Sequence, residues 1–482
     1  MARQLLNLIG NHFQPAESGK TLDVWDPAQG RVYALLPRSD ADDIETAVLA
    51  AETAFADWSG LAPDDRAKYL FQVADQIEAR LEDFAQAESL DTGKPLWLAR
   101  QVDIPRAVRN FRFFAAGLLH FSSESHALPG FLNYTLRQSL GVVACISPWN
   151  LPLYLLSWKI APALAMGNTV VAKPSEVTPL TAVLLSEVLL ESGFPKGVLN
   201  LVHGLGSEAG AALIHHPKIK AISFTGSTRT GAEIARIAAP RFKKLSLEMG
   251  GKNAALVFAD CDYENMLETS VRSAFTNQGQ ICLCMSRILV ERSLYSRFRD
   301  DFVARVKALK VGDPQEPDTR IGALVSQAHQ EKILRHIDLA QQEGGSLLCG
   351  GQSVQLSGRC AQGWFVQPTV FEGLSASCRT NQEEIFGPVV TLQAFDNESE
   401  ALALANGTDY GLASSVWTTD QARALRLSEK LQAGLVWVNC WMERDLRTPF
   451  GGVKNSGLGR EGGWEALRFF SEAKNICLAY PP

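Results

Sequence analysis

Two segments near the start of the chain have apolar residues every three to four positions, which is the spacing of amphipathic helices. In residues 39–56 this stripe follows Ser39 and Asp40, which are suited to capping a helix N-terminus. Pro63 is suited to the first turn of a second helix. The residues expected on the inner face of that helix are Leu70, Val73, Ile77, Leu81 and Phe84. The pattern therefore predicts two helices, the second of which runs from Pro63 through Phe84.

From about residue 140 the chain changes to short runs rich in β-branched residues, which alternate with helical segments. A helix that ends at Gly167 and another over residues 180–192 belong to this series. The predicted strands are 141–147, 169–173, 198–202, 221–225 and 244–248. Such alternation requires right-handed crossovers and a parallel sheet with helices on both faces. The predicted fold class is therefore α/β, with a doubly wound sheet of the kind that binds nucleotides.

The second half of the chain repeats this alternation. The predicted strands there lie near 254–258, 286–291, 412–417 and 434–438. We therefore expect two α/β domains, the first built from residues 1–118 and 140–250 and the second from residues 251–441.

Residues 138–158 are uncharged and largely apolar, and they are long enough to resemble a membrane span. Gly141, Pro148 and Pro152 interrupt this stretch, and a spanning helix would not carry such breakers at its centre. We interpret the stretch as a buried strand, a turn and a buried helix. The first ten residues have too short an apolar run for a signal peptide, so the expected location is the cytoplasm.

The composition is that of an ordinary globular protein, with 46% hydrophobic and 20% charged residues. The formal net charge is −6 over 482 residues and there is no long Lys/Arg run, which argues against a nucleic-acid partner. The nine cysteines are scattered and odd in number, which favours reduced thiols over a disulfide framework. No histidine or second cysteine pair stands at ligand spacing from Cys282 and Cys284, so no metal site is expected. A small molecule is therefore the expected ligand.

Three loops follow predicted strands at the edge of the sheet where doubly wound folds bind ligands. In Lys173-Pro-Ser-Glu176 a carboxylate can accept ribose hydroxyls and would repel a 2′-phosphate, which favours NAD over NADP. The alternative is a solvated turn with Ser175 as a helix cap. In Thr225–Gly231 the two glycines, Gly226 and Gly231, would let backbone amides approach a pyrophosphate. The third loop, Gly204–Gly210, mimics a dinucleotide fingerprint but has one residue too many.

Phe275-Thr-Asn-Gln-Gly-Gln-Ile-Cys282 follows a predicted helix that begins near residue 263, and Gly279 permits a sharp turn that would expose Cys282. A thiol with an ordinary pKa of about 8.5 is only slightly ionised at neutral pH, so it needs a base or a positive environment. Glu248 is the expected general base, because it ends a strand in an apolar, glycine-flanked stretch. The alternatives are a buried structural cysteine and a solvated glutamate.

Seven motifs stand in the order seen in the aldehyde dehydrogenase superfamily, and the chain resembles that superfamily over essentially its whole length. They are Pro148-Trp-Asn-Leu-Pro152, Lys173-Pro-Ser-Glu176, Phe224-Thr-Gly-Ser-Thr228, Leu247-Glu-Met-Gly-Gly251, Gly279-Gln-Ile-Cys282, Glu384-Ile-Phe-Gly-Pro388 and Pro449-Phe-Gly-Gly452. The resemblance implies that Cys282 attacks an aldehyde, that the Asn150 amide and the Cys282 N–H form an oxyanion hole, and that Glu248 activates water.

The same resemblance implies NAD as cofactor. The residues implied in binding it are Ile146, Ser147, Pro148, Trp149, Lys173, Ser175, Glu176, Gly206, Gly210, Phe224, Thr225, Gly226, Ser227, Gly231, Met249, Gly250, Glu384 and Phe386. It also implies that residues 119–139 and 464–482 form an oligomerisation segment, with the tail of one subunit completing the sheet of another in a homodimer or homotetramer.

The chain is also similar to a narrower group, the 2-hydroxymuconic and 2-aminomuconic semialdehyde dehydrogenases. This likeness rests on residues 103–114, Ser157-Trp-Lys-Ile-Ala161, Cys282-Leu-Cys284 and residues 439–450. Substrates of that group carry a carboxylate far from the aldehyde, which an arginine can bind with two hydrogen bonds. We therefore hypothesise that Arg106 and Arg444 clamp a substrate carboxylate. The alternative is two arginines in ordinary ion pairs, one of them with Glu443.

Three other functions remain open from the sequence: a betaine-type or general aliphatic aldehyde dehydrogenase, a catalytically idle structural relative, and a cofactor-free thiol esterase. An idle relative would lack the nucleophile or the base, and the sequence retains Cys282, Glu248 and Asn150. A thiol esterase would need neither Glu176 nor the loop at Gly226.

Overall fold

The computed structural model describes residues 3–480, so residues 1–2 and 481–482, at the outer ends of the first predicted domain and the predicted tail, lie outside the described residues. The α-helices are Ala41–Gly60, Pro63–Ala79, Leu81–Thr92, Leu96–Leu98, Ile104–Leu119, Pro152–Ala165, Leu180–Glu191, Ala211–His215, Thr228–Ala238, Tyr263–Phe275, Arg292–Lys307, Gln327–Gln342, Arg379–Gln382, Glu398–Asn406, Gln421–Lys430 and Gly463–Phe469. Shorter 3₁₀ and π turns are Ala99–Asp103, Gly206–Gly210, Ala239–Arg241, Thr276–Gly279 and Gly358–Cys360.

Five parallel strands form the middle of the first large sheet. Their spatial order is Lys244–Glu248, Ile219–Thr225, Val142–Ile146, Thr169–Lys173 and Leu199–Leu201. Antiparallel strands extend the edges, and these are Gly457–Leu458 on one side and Asn7–Ile9 with His12–Gln14 on the other. The chain runs outward from Val142–Ile146 first in one direction and then in the other, so the strand order reverses there. A ligand crevice is expected beyond the carboxyl ends of the strands at such a reversal.

The second large sheet is also mainly parallel. Its order is Ser346–Cys349, Thr369–Glu372, Val389–Phe395, Met285–Glu291, Asn253–Val257, Ala413–Trp417 and Leu435–Val438, with the first strand antiparallel to its neighbour. Smaller sheets contain Arg3–Gln4, Arg31–Pro37 and Thr21–Asp26, the pair Ser353–Val354 and Phe365–Val366, and the pair Tyr410–Gly411 and Val453–Lys454.

A three-stranded antiparallel sheet consists of Ser125–Leu128, Phe131–Ser139 and Ser471–Ala479. The hairpin begins later than residue 119, because the preceding helix continues to Leu119. The C-terminal strand pairs with Phe131–Ser139 of its own chain. The tail thus completes a sheet within its own subunit.

The predicted α/β class and the predicted strands of both large sheets are confirmed. In the first sheet every predicted boundary lies within two residues of the observed one. The stretch over residues 138–158 forms the strand Val142–Ile146, a turn and the buried helix that begins at Pro152, as predicted. No helix of the described residues is long and apolar enough to cross a membrane.

The prediction of one helix from Pro63 through Phe84 is wrong. The helix ends at Ala79, Arg80 leaves the helical conformation, and a new helix begins at Leu81. Ile77 and Phe84 nevertheless lie in one hydrophobic core. The apolar spacing continues across the break because both helices bury their residues in that core.

Candidate active site

A strained turn connects the helix Tyr263–Phe275 to Cys282. Asn277, Gln278 and Gly279 all have positive φ values, of 52°, 57° and 69°. A Cβ atom on Gly279 would lie 2.2 Å from the backbone oxygen of Gly387, so only glycine fits there. Gly279 forms the expected sharp turn. Glycine is needed there both for the positive φ and for the close approach of the Gly387 backbone.

The side chains of Asn253 and Trp441 hold the backbone of the loop from Cys282 to Cys284. The Asn253 amide donates to the backbone oxygens of Cys282 at 2.7 Å and Cys284 at 2.9 Å. The Trp441 indole donates to the Leu283 oxygen at 2.9 Å. Neither residue was identified from the sequence as part of the site, and an Asn after a Gly-Gly-Lys run gives no signal of this contact.

Cys282 lies in a cleft of about 230 Å³. Its lining residues are Pro148, Trp149, Asn150, Leu155, Thr225, Gly226, Ser227, Met249, Gly250, Cys282, His329, Lys332, Glu384 and Phe386. All but Leu155, His329 and Lys332 were expected from the sequence. Residues from both large sheets thus meet at one cleft beyond the strand-order reversal.

Asn150 lies beside the nucleophile loop and its amide is aimed at that loop. Its Nδ2 donates to the Gln280 oxygen at 2.9 Å, which uses one of its two N–H groups. Within residues 3–480 the Cys282 backbone N–H has no hydrogen-bond acceptor. The cleft therefore offers two N–H donors beside the thiol.

The environment of the Cys282 thiol is not positive overall. Burial raises the pKa of the thiol, and the carboxylates of Glu384 and Glu248 raise it further, while Arg444 acts in the opposite direction. The thiol is therefore mainly protonated at neutral pH, and it needs a base to react as a thiolate.

Glu248 ends a strand of the first sheet and is only 3% exposed. Neither of its carboxylate oxygens has a hydrogen-bond partner among the described residues. Burial raises its pKa well above the usual range, and the nearby Glu461 carboxylate raises it further. A Cβ on Gly451 would lie 2.7 Å from Glu248 Oε1, so the Pro449–Gly452 motif makes room for this carboxyl group. These are the conditions that prepare a carboxylate for proton transfer near neutral pH.

Glu461 and Lys159 form a buried ion pair next to this base, at 2.6 Å. Lys159 Nζ also lies 3.3 Å from the Ser223 hydroxyl. The sequence offered a weak signal for Lys159, because a lysine in an otherwise apolar helix must find a buried partner. Glu461, some three hundred residues away, gave none.

The residues expected around an adenosine ribose lie together at the carboxyl ends of two strands. Lys173 Nζ pairs with Glu176 at 2.9 Å, and the Ser147 N–H donates to the Lys173 oxygen at 3.3 Å. Ser175 caps this turn by accepting from the Val177 N–H. A Cβ on Gly210 would lie 3.6 Å from the Lys173 side chain, so the turn Gly206–Gly210 borders the same place.

The glycine loop follows the strand Ile219–Thr225. Phe224, which pairs in register with Ile146, lies directly beneath Gly226, where a Cβ would be 2.4 Å from the aromatic ring. Ser227 caps the helix Thr228–Ala238. Helix N-termini of this kind bind phosphate groups.

Gly231 differs from its expected role. It lies one turn inside the helix, its N–H donates to the Ser227 oxygen, and a Cβ would be 2.3 Å from the Met249 sulfur. The absence of a side chain at Gly231 therefore serves helix packing, and its amide does not face the cleft.

Glu384 and Phe386 lie on the opposite wall of the cleft. Glu384 accepts a hydrogen bond from the Gly251 N–H at 2.9 Å. Phe386 has a φ of +62° and packs edge-on against Trp149, with 5.3 Å between the ring centroids. His329 lies 2.8 Å from the Phe386 oxygen, and burial lowers its pKa to about 4, so the imidazole is neutral.

Arg106 and Arg444 converge on the same aromatic residues. Both guanidinium groups lie 5.3 Å from the Trp158 ring. Arg106 also lies 5.0 Å from the Tyr154 ring, and Arg444 donates to the Tyr154 hydroxyl at 3.3 Å. Burial lowers the pKa of Arg106 to about 10, and the Arg444 charge contributes in the same direction.

Three nitrogen atoms of this arginine pair have no partner in the described part of the chain: Arg106 Nη2, Arg444 Nε and Arg444 Nη2. All three are buried. Glu443 is exposed and forms no ion pair with Arg444 in this region. Neither Arg106 nor Arg444 forms an ion pair with a carboxylate in the described residues, which disfavours the alternative of ordinary ion pairs.

Comparison with known proteins gives a consistent result. The model of the aldehyde dehydrogenase family matches residues 13–476. A 2-aminomuconic semialdehyde dehydrogenase of Danio rerio is 51% identical over 480 residues, covering 99% of this chain and 98% of the relative. A 2-hydroxymuconic semialdehyde dehydrogenase of Pseudomonas sp. (strain CF600) is 46% identical over 487 residues, covering 99% of each chain.

Among solved structures, the NAD+ complex of an aldehyde dehydrogenase from Bacillus cereus has a TM-score of 0.97 at 38% identity. It covers 99% of this chain and 97% of that one. The fold, the cleft with its thiol and these relatives lead to one conclusion: the chain belongs to the aldehyde dehydrogenase family.

Proposed function

We propose that this protein uses NAD to oxidise an aldehyde that carries a carboxylate at its far end, such as 2-aminomuconic or 2-hydroxymuconic semialdehyde. The observation that carries this proposal is that Arg106 and Arg444, which converge on Trp158, have three buried nitrogens without partners among the described residues. The Arg444 charge is close enough to lower the pKa of both Cys282 and Glu248.

The residues of the cleft fit NAD. Thr225 and Ser147 each have a buried hydroxyl without a partner among the described residues, at the strand ends where a dinucleotide binds. Lys173 and Glu176 would hold the adenosine ribose, Ser227 with the turn Gly206–Gly210 would hold the pyrophosphate, and Glu384 with Phe386 would fix the nicotinamide riboside. Bound there, NAD supplies the acceptor for the aldehyde hydride.

Cys282 performs the first chemical step in this proposal. Glu248 takes the thiol proton, and the thiolate adds to the aldehyde carbon to give a thiohemiacetal. The Asn150 amide and the Cys282 N–H stabilise the oxygen as it gains negative charge, and one such donor is worth about 3 kcal/mol in the transition state. Loss of the hydride leaves a thioester on Cys282.

Glu248 also performs the second step. After the proton taken from the thiol has passed to solvent, the Glu248 carboxylate removes a proton from the water that attacks the thioester. The carboxylic acid then leaves, and the proton held by Glu248 returns to the sulfur and restores the thiol. The unpartnered oxygens of Glu248 support this role, because a base already engaged in hydrogen bonds would have less affinity for the proton.

The arginine pair distinguishes between classes of aldehyde. Buried charges without partners are costly, and a carboxylate can accept from both guanidinium groups at once. Betaine aldehyde carries a positive charge that the two arginines would repel. A plain aliphatic aldehyde would leave the guanidinium groups unpaired.

The relatives support the same substrate class, since two of the similar proteins are named for 2-aminomuconic and 2-hydroxymuconic semialdehyde. A structural relative without activity is disfavoured because Asn150 and Cys282 line one cleft and Glu248 lies close enough to raise the thiol pKa. A cofactor-free esterase would not need the residues that fit NAD.

Steady-state kinetics with NAD test the proposal. We expect kcat/KM for 2-hydroxymuconic semialdehyde to exceed that for hexanal and for betaine aldehyde by at least about 10-fold, the contribution of one charge-assisted hydrogen bond. Equal or higher kcat/KM for betaine aldehyde would contradict the substrate class. NAD reduction by the Cys282→Ala protein at an undiminished rate would contradict the chemistry.

We further infer two functional domains, with residues 1–118 and 140–250 holding NAD and residues 251–441 carrying the nucleophile. We also infer a homo-oligomer, because the three-stranded sheet exposes large apolar side chains. These are Leu128, Phe131, Leu136 and Leu478, and the exposed Tyr480 directly follows the last strand. Light scattering after size-exclusion chromatography tests this point, and a monomer at micromolar concentration would contradict it.

A further inference from the structure

A buried ion cluster lies behind the Asn150 side of the cleft and has no part in the chemistry described so far. The Lys94 side chain is 0% exposed, and its ammonium pairs with the carboxylates of Asp103 and Glu88, the latter at 3.6 Å. Both carboxylates are buried as well. Burying three charged groups is costly, and apolar side chains would often serve stability equally well. The buried charges are therefore expected to have a specific role beyond stability.

The third partner of the ammonium belongs to the active site. Lys94 Nζ donates to the backbone oxygen of Asn150 at 3.1 Å. Two of the three N–H donors of the ammonium are accepted by Asp103 and by the Asn150 oxygen, while Glu88 Oε1, 3.6 Å away, contributes charge without a hydrogen bond. The geometry of the cluster thus fixes the place of the Asn150 peptide group.

The catalytic loop holds Asn150 from the other side. Asn277 Nδ2 donates to the same backbone oxygen of Asn150, at 3.1 Å. The Asn150 side chain donates to the Gln280 oxygen, two residues before Cys282. Asn150 is therefore held through its backbone by Lys94 and Asn277 and through its amide by the nucleophile loop.

We propose that Lys94 is a positioning residue for the oxyanion hole: its buried ammonium holds the Asn150 carbonyl and thereby aims the Asn150 amide at the oxygen of the substrate on Cys282. Asn277 does the same with a neutral donor. The inference rests on the proposed role of Asn150 as a donor to that oxygen.

The first test compares two reactions of the same thiol in Lys94→Met. Aldehyde oxidation passes through an oxyanion, whereas alkylation of Cys282 by iodoacetamide does not. Because a misplacement of about 1 Å can cost about 100-fold in rate, we expect kcat for aldehyde oxidation to fall about 100-fold. We expect the alkylation rate and the KM for NAD to stay within about two-fold.

Asn277→Gly is the second variant, because it leaves all charges in place. Asn277 has a φ of +52°, which glycine adopts freely, so the variant loses only the side-chain donor, which also donates to the Gln280 oxygen at 3.3 Å. We expect a smaller fall in kcat with the same unchanged alkylation rate. This variant keeps the test available if Lys94→Met does not fold.

A double-mutant cycle and a matched control complete the design. In an Asn150→Ala background, Lys94→Met and Asn277→Gly should each lower kcat by less than about two-fold, since the group they position is gone. The control is Asn200→Ala, which removes a buried amide that holds the Gly197 oxygen at 2.8 Å and does not line the cleft. We expect it to lower the unfolding temperature without changing kcat.

Wild-type kcat in folded Lys94→Met and Asn277→Gly would overturn the positioning role. It would also be overturned if alkylation fell in parallel with oxidation, or if the losses multiplied fully with Asn150→Ala. The proposed function fails by a different result, namely undiminished oxidation by Cys282→Ala. The two failures are therefore distinguishable.

Discussion

Two parts of the candidate site hold their charged groups differently: the proposed cofactor end, with Lys173, Glu176 and Glu384, and the proposed substrate end, with Arg106, Arg444 and Glu248. At the cofactor end Lys173 is paired with Glu176, and Glu384 accepts a backbone N–H. At the substrate end Arg106 and Arg444 have buried nitrogens without partners in the described residues, and both oxygens of Glu248 are likewise unpartnered.

This difference shows where the charge of the ligand matters most. Paired groups at the cofactor end are stable before a ligand arrives, so they select it mainly by shape and hydrogen bonding. At the substrate end aromatic rings stabilise both guanidinium groups, but their three unpartnered nitrogens would gain acceptors only when an anion binds. The expected effects of mutation are accordingly larger at the substrate end.

The largest effect is expected for Arg444→Ala. Loss of a charge-assisted contact worth about 1.5–3 kcal/mol lowers kcat/KM for 2-hydroxymuconic semialdehyde by about 10- to 150-fold. The kcat/KM for hexanal should change by no more than a few-fold, because hexanal has no carboxylate. Arg447→Ala is the matched control, since Arg447 is exposed and already paired with Asp445. Equal losses on both aldehydes would show that Arg444 is structural.

A smaller effect is expected at the paired end. In Glu176→Gln the side chain keeps its shape but loses its charge, so binding of the ribose hydroxyls weakens and repulsion of a 2′-phosphate disappears. We expect kcat/KM for NAD to fall about 10-fold and the preference for NAD over NADP to narrow. Glu233→Gln, an exposed glutamate paired with Arg236, serves as control. An unchanged NAD to NADP ratio would rule out this role for Glu176.

The smallest effect is a shift in pH dependence. Burial and then the Glu461 carboxylate raise the pKa of Glu248, and the base acts only when deprotonated. Activity should therefore rise with pH above the usual range of a glutamate. Glu461→Gln removes one cause of the raised Glu248 pKa and leaves the Lys159 charge without its partner. Both changes lower the Glu248 pKa, so the acidic limb of the kcat–pH profile should move to lower pH. Glu465→Gln, on the surface, should leave the limb in place, and a shift to higher pH in Glu461→Gln would refute the coupling.

Sequence patterns predicted the parts of the fold that depend on local chain properties. The buried strands Val142–Ile146 and Thr169–Lys173 were found because parallel strands covered on both faces are continuously apolar. The strand Val389–Phe395 was missed although Gly387-Pro388 and Asp396-Asn397 flank it, because Thr391 and Gln393 interrupt its apolar run. The break at Arg80 was missed because apolar spacing continues through it.

The site residues divide in the same way. Cys282, Glu248 and Asn150 stand in local motifs, and the structure brings Asn150 and Cys282 to one cleft with Glu248 close enough to raise the thiol pKa. Lys94, Asn253 and Glu461 act through contacts between distant parts of the chain, and no local pattern encodes such contacts. Gly231 was assigned to the cofactor because a glycine needed for packing and one needed for ligand approach look identical in sequence.

Intact-mass and peptide analysis of Glu248→Gln, mixed with NAD and 2-hydroxymuconic semialdehyde, is the most direct measurement of the proposed chemistry. Without its base both acylation and hydrolysis should slow, but each NADH that forms should leave one acyl group on Cys282, so the protein should gain the mass of that group. An unmodified protein after one equivalent of NADH has formed, or an acyl group on Cys284 instead, would contradict it.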